Sequence, residues 1–154
     1  MDNDKAINTL NNLIETLRDG QEGFKEAAEN AQSADLKSFF NQVSLERAQM
    51  VGELQQEVRT LGGDPENSSS TAGALHRAWI NIKGTLTGRD DHSILNECER
   101  GEDSAVRAYE DALKEQSLPA TMRTLVERQF AQIKQVHDRT KRMRDAFSAA
   151  SGRH

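Results

Sequence analysis

Cysteine, proline and aromatic residues are all scarce in this sequence, and each scarcity removes a class of protein. The single cysteine, Cys98, leaves no partner for an internal disulfide and argues against a cysteine-ligated zinc site. A lone thiol among apolar neighbours serves core packing. Only two prolines, Pro65 and Pro119, interrupt the chain, so long stretches are free to be helical. Strand-type alternation of apolar and polar residues is nearly missing, which predicts an all-α fold. Aromatics make up 5% of the residues, as in bundles whose cores are Leu, Ile, Val, Met and Ala. No apolar run approaches the roughly 20 residues of a membrane span, and the opening residues MDNDK are no secretory signal. The chain therefore reads as soluble and cytoplasmic, bacterial in style, with no membrane partner. Its 154 residues suit one domain with a real core.

Charge is unevenly placed. Residues 1–120 carry 12 Lys/Arg and 22 Asp/Glu, a net of −10, whereas residues 121–154 carry 8 basic and 3 acidic side chains, a net of +5. A basic last segment raises the question of nucleic acid. Its cations are dispersed around the helix, however, and the two aromatics among them, Phe130 and Phe147, make no stacking run. The overall acidic balance also opposes non-specific nucleic-acid binding, so no nucleic-acid partner is expected.

Periodicity places four long helices, at about 4–31, 34–61, 91–116 and 119–148, in a domain spanning 1–148 with a frayed tail at 149–154. Asn3 or Asp4 is the expected cap of the first. Its inward stripe runs Ile7, Leu10, Leu13/Ile14, Leu17, Gln21, Phe24 and Ala28. Gly20 and Gly23 beside it cost helix propensity, tolerable where a bulky side chain packs close. The second helix carries Leu36, Phe39/Phe40, Val43, Arg47, Met50/Val51, Leu54 and Val58, and stops at Gly62–Gly63. An arginine at the centre of an apolar stripe is unusual. The third carries Cys98, Glu102, Ala105, Tyr109 and Ala112. The fourth carries Met122, Val126, Gln129, Ile133, Val136/His137, Thr140, Met143 and Phe147. Between the second and third helices lies a connection of about thirty residues, with a short helix expected at about 72–86 around Trp79. His76 and His92 belong to this crossover and read as solvent-facing. Short loops within each pair and a long crossover between pairs define an up-down-down-up bundle, the connectivity of ferritin-like folds.

Several segments carry a resemblance: LRDGQEGF at 17–24, SLERAQ at 44–49, LQQEV at 54–58, HRAW at 76–79, LTGRDD at 86–91 and CERGED at 98–103. Together they resemble a bacterial family of ferritin-like four-helix-bundle proteins, distantly related to rubrerythrin and ferritin. That family is catalogued as a domain of unknown function and associated with stress responses. The resemblance runs over about residues 4–146. It implies a fold; it implies little about activity.

Ferritin-like di-metal enzymes place a Glu on each of two helices and a Glu-x-x-His on each of the others. Glu102 matches one such position, with Tyr109 at the usual offset. The other positions hold Gln21, Arg47 with Met50, and Val126 with Gln129, which offer neither carboxylate nor histidine. The expectation is therefore a buried polar cluster, Glu102 paired with Arg47 and Gln21, Gln129 and Tyr109 completing hydrogen bonds, with no metal and no cofactor. No Gly-rich phosphate loop or Ser/His/Asp arrangement supplies another chemistry. The expected role is a non-catalytic structural or interaction protein, with a homo-oligomer as a further possibility. The alternative is a metal-binding or ferroxidase-like protein holding iron or manganese through a shifted set, Glu46, Glu53, Glu102 and His137.

Overall fold

The structure, a computed structural model, describes residues 2–65 and 90–151, with side chains over 3–65 and 90–146. Among these residues all regular structure is helical and there is no strand. The elements are α1 (Asp2–Asn30), α2 (Ala34–Thr60), α3 (Asp91–Leu113) and α4 (Ala120–Ser151). The expected crossover helix at 72–86, with His76 and Trp79, lies outside the described residues, as does the side chain of Phe147.

Cross-helix hydrogen bonds set the directions. Lys37 Nζ, early in α2, donates to the Ala28 carbonyl late in α1 (3.1 Å), and Asn3 Nδ2, early in α1, donates to the Leu61 carbonyl just past α2 (3.4 Å). These two helices are antiparallel. The Asp91 carboxylate, at the start of α3, accepts from the backbone N–H groups of Gln32 (2.7 Å) and Ser33 (3.0 Å) in the α1–α2 turn. Helix α3 thus begins where α1 ends and runs antiparallel to it. Contacts from Tyr109 to Gln129 and from Asp103 to His137 bring α4 back against α3. The order is up, down, down, up. Helix α1 packs against α2 and α3, and α4 packs against α3 and more lightly against α2, while α2 and α3 lie across the diagonal.

Local chemistry explains where the helices stop. Ser33 caps α2 by accepting from Leu36 N–H (3.4 Å), and Asp90 caps α3 by accepting from Ser93 N–H (2.8 Å). At the far end of α2, Gly63 N–H reaches the Val58 carbonyl and Gly62 N–H the Arg59 carbonyl, both at 2.9 Å, with Gly62 at φ +85°. This is the glycine-terminated Schellman arrangement. Helix α1 begins at Asp2, so Asn3 and Asp4 lie inside it instead of capping it, and Asn3 spends its amide on α2. Helix α3 ends at Leu113, short of Gln116, because the Arg123 guanidinium takes the Leu113 (2.6 Å) and Glu115 (2.5 Å) carbonyls and draws the chain into its turn. Helix α4 continues through Ser151, past the expected end at 148, over the helix-favouring Ala149 and Ala150.

The core has two apolar halves. One gathers Leu10, Leu13, Leu17, Met50, Leu54, Ala105, Tyr109, Val126 and Ile133. The other gathers Phe24, Ala28, Phe39, Phe40, Val43, Ile94, Leu95 and Cys98. On three helices the boundary falls at one level: between Leu17 and Phe24 on α1, Val43 and Met50 on α2, Cys98 and Ala105 on α3. Arg47 and Glu102 occupy that level.

Two glycine substitutions of opposite sign test the helix assignments. Gly52 is exposed in mid-helix with nothing within 4 Å of an added Cβ, so Gly52→Ala is expected to stabilise by about 0.5–1 kcal/mol. Gly62, in the left-handed region, is expected to lose about 1 kcal/mol as Gly62→Ala. Urea denaturation midpoints on both variants check the signs.

Candidate functional site

The central layer is built around one ion pair. Arg47 projects from α2 and Glu102 from α3, and the guanidinium meets the carboxylate with two parallel bonds, Nη1 to Oε1 at 2.7 Å and Nη2 to Oε2 at 2.6 Å. The arginine side chain is 2% exposed and the glutamate 0%. Because α2 and α3 sit across the diagonal, the pair spans the core where their backbones do not pack closely. Arginine has the length to do this. Space for it comes from Gly20 on α1, where an added Cβ would lie 3.0 Å from Arg47 Nη1. The Phe24 ring lies alongside, its centroid 5.4 Å from the guanidinium carbon. Burial works against the charge on Arg47, but the facing Glu102 carboxylate outweighs it, and the arginine is held above its ordinary pKa.

A second polar chain lies below this pair and reaches the surface. Tyr109 Oη donates to Gln129 Oε1 (2.9 Å), and Gln129 Nε2 donates to the Met50 carbonyl (3.2 Å) and to Glu53 Oε1 (3.0 Å). Glu53 Oε2 in turn accepts from Arg128 Nη2 at 2.7 Å. The buried phenol is pushed to a much higher pKa, chiefly by desolvation, and remains a neutral donor. Cys98, buried above the pair, is likewise pushed up by desolvation and stays a thiol.

Gln21 departs from the expected cluster. It is half-buried, its backbone carbonyl accepts from Ser44 Oγ (2.9 Å), and its side chain joins neither Arg47 nor Glu102. The residue that faces the pair is its neighbour Gly20. The bulky side chain that the helix-weakening Gly20 makes room for is that of Arg47.

The alternative set Glu46, Glu53, Glu102 and His137 is dispersed. Glu46 accepts from Gln42 (3.3 Å), Glu53 is held by Gln129 and Arg128, and Glu102 by Arg47. His137 sits on the α3–α4 seam, with Nε2 2.5 Å from Asp103 Oδ1 and 4.0 Å from Glu99 Oε1, and Nδ1 3.2 Å from Asp138 Oδ1. Glu99 also pairs with Arg144 through its other oxygen. Among the described residues, Glu99, Asp103 and His137 form the one group of three whose ligand atoms all lie within 4.8 Å of one another. The sequence carried a signal for the first two, a carboxylate pair at i and i+4 on one flank of α3. Nothing in it linked that flank to His137, 34 residues beyond Asp103.

The central layer does not fit a di-metal centre. Such a centre needs several anionic oxygens facing one another, and here Glu102, 0% exposed, has both oxygens engaged by a cation. Of the two histidines described on α3 and α4, His92 lies in the first turn of α3, away from the central layer, and His137 faces the seam.

Two measurements probe these groups. Removing one partner of a buried pair strands the other charge, so Arg47→Met or Glu102→Leu alone should cost about 3–5 kcal/mol. The double variant should recover most of that loss, and a urea double-mutant cycle reads the coupling. For His137, burial lowers the pKa but the bonds to Asp138 and Asp103 outweigh it, so the folded value is raised above the usual 6.5. The contribution of the protonated ring is complete below the unfolded pKa and is lost as pH rises through the folded value. In buffer containing EDTA, His137→Gln should lower the melting temperature more at about pH 6 than at about pH 9. A gap independent of pH would contradict this.

Comparison with known proteins bears on most of the chain. Residues 5–115 match the profile of a family described as a domain of unknown function (DUF2383). That span holds all but the first three residues of α1, then α2, the connection to α3, and α3, and so includes both partners of the buried pair. No curated protein matches the chain. With the greater part of its length inside that match, the protein belongs to the DUF2383 family of unknown function.

Proposed function

We propose that this protein is a ferritin-like four-helix bundle that does no redox chemistry and serves as a structural or interaction protein, associated with stress as the family resemblance implies. One observation carries the proposal: a two-bond Arg47–Glu102 pair fills the level where a di-metal centre would sit. A guanidinium there repels a divalent ion and occupies the lone pairs that would bind it. The up-down-down-up order of the helices agrees with the ferritin-like assignment. No helix among the described residues is long and apolar enough to cross a membrane. A cytoplasmic location and self-association belong to the same proposal.

The test is an anaerobic titration of the purified chain with Fe(II), followed by exposure to oxygen. The expected result is oxidation no faster than in protein-free buffer, with no plateau at two iron ions per chain. Two bound irons with protein-dependent oxidation would overturn the proposal.

A further inference from the structure

The α3–α4 seam holds a different arrangement from the central layer. Glu99 and Asp103 stand one turn apart on α3, and His137 faces both from α4. Their side chains are partly open to solvent, 12% for Glu99, 47% for Asp103 and 19% for His137. A carboxylate on the second ring nitrogen is the usual way a metal-binding imidazole is oriented. Asp138 holds that place, 3.2 Å from Nδ1, leaving Nε2 turned toward the two acids.

From this geometry we propose that Glu99, Asp103 and His137 form a divalent transition-metal site of the zinc type, with one imidazole and two carboxylates as ligands and water completing the coordination. One nitrogen and two oxygens suit a borderline ion better than Mg²⁺, which keeps to oxygen. Zinc lies about 2.0–2.2 Å from such ligands, so neighbouring ligand atoms in a tetrahedral site stand roughly 3.3–3.6 Å apart. The present separations of 2.5 Å and 4.0 Å from Nε2 bracket that spacing. The Asp103 carboxylate is half-exposed, and binding would require it to move back from Nε2 to admit the ion. Glu99 offers Oε1 to the ion while Oε2 stays on Arg144. Arg144 therefore orients one ligand and, as a nearby cation, also limits affinity. The site stands apart from the Arg47–Glu102 pair and does not depend on the central layer's being metal-free.

Isothermal titration of the full chain with ZnCl₂ in a non-chelating buffer at pH 7.5 tests the assignment. One zinc per chain is expected at this site, with at least tenfold weaker binding in His137→Gln and in Asp103→Asn, and no heat from MgCl₂. A triple variant, His76→Gln, His92→Gln and His154→Gln, should keep the wild-type affinity. Far-ultraviolet circular dichroism reports folding of each variant, and Asp103→Asn, at a half-exposed position, serves if His137→Gln does not fold. Zinc binding unchanged by either substitution, binding lost in the triple variant, or no binding at 100 µM ZnCl₂ would overturn the proposal.

Discussion

Arg47 and Glu102 are both out of reach of water, and neither can be buried there without the other. Desolvating each ion costs several kcal/mol, recovered only when the geometry is good and the partner is present. The two parallel bonds supply that geometry. They also constrain three helices at once. Arginine on α2 must cross the diagonal to α3, and α1 must offer a residue with no side chain where the guanidinium passes. Gly20 is that residue. A shift of any of these helices by one turn would set a charge against an apolar half of the core. The pair acts on register more than on stability, since apolar replacements of similar size are often as stable.

Around this layer the division of the core follows. One apolar half packs the end of the bundle near Leu54 and Val126, the other the end near Phe40 and Ile94. The Asp91 carboxylate ties the second end by holding two backbone N–H groups of the α1–α2 turn. The Tyr109–Gln129–Glu53–Arg128 chain ties the first, satisfying a buried phenol and amide on the way to the surface. At the central level Arg47 and Glu102 are committed to each other, and Tyr109 and Gln129 to each other and to the Met50 carbonyl. Groups still open to an ion from solvent sit on the seam, where Glu99, Asp103 and His137 meet.

Much of this was legible in the residues. The 3.6-residue stripes, the glycine stop after Leu61, the short links within helix pairs and the placement of Arg47 and Glu102 on the inward stripes of their helices all follow from spacing alone. The sequence also pointed to Tyr109 and Gln129 as inward polar residues, and both are buried. It misplaced the role of position 21. Counting every three or four residues lands on Gln21, whereas the guanidinium passes over Gly20, the glycine whose helix cost is tolerable where a bulky side chain packs close.

The metal alternative shows the same limit from the other side. A search by composition gathered Glu46, Glu53 and Glu102 with His137, residues alike in type but directed to different neighbours. The acids that His137 meets are Glu99 and Asp103, one turn apart on a flank of α3. Periodicity along one helix determined which face each helix turns inward, since that face follows from the helical repeat and the burial of apolar groups. Which residue of one helix meets which residue of another was decided only by the tertiary structure. That choice rests on the rotation and axial offset between helices, which depend on how side-chain volumes and paired charges pack together in three dimensions.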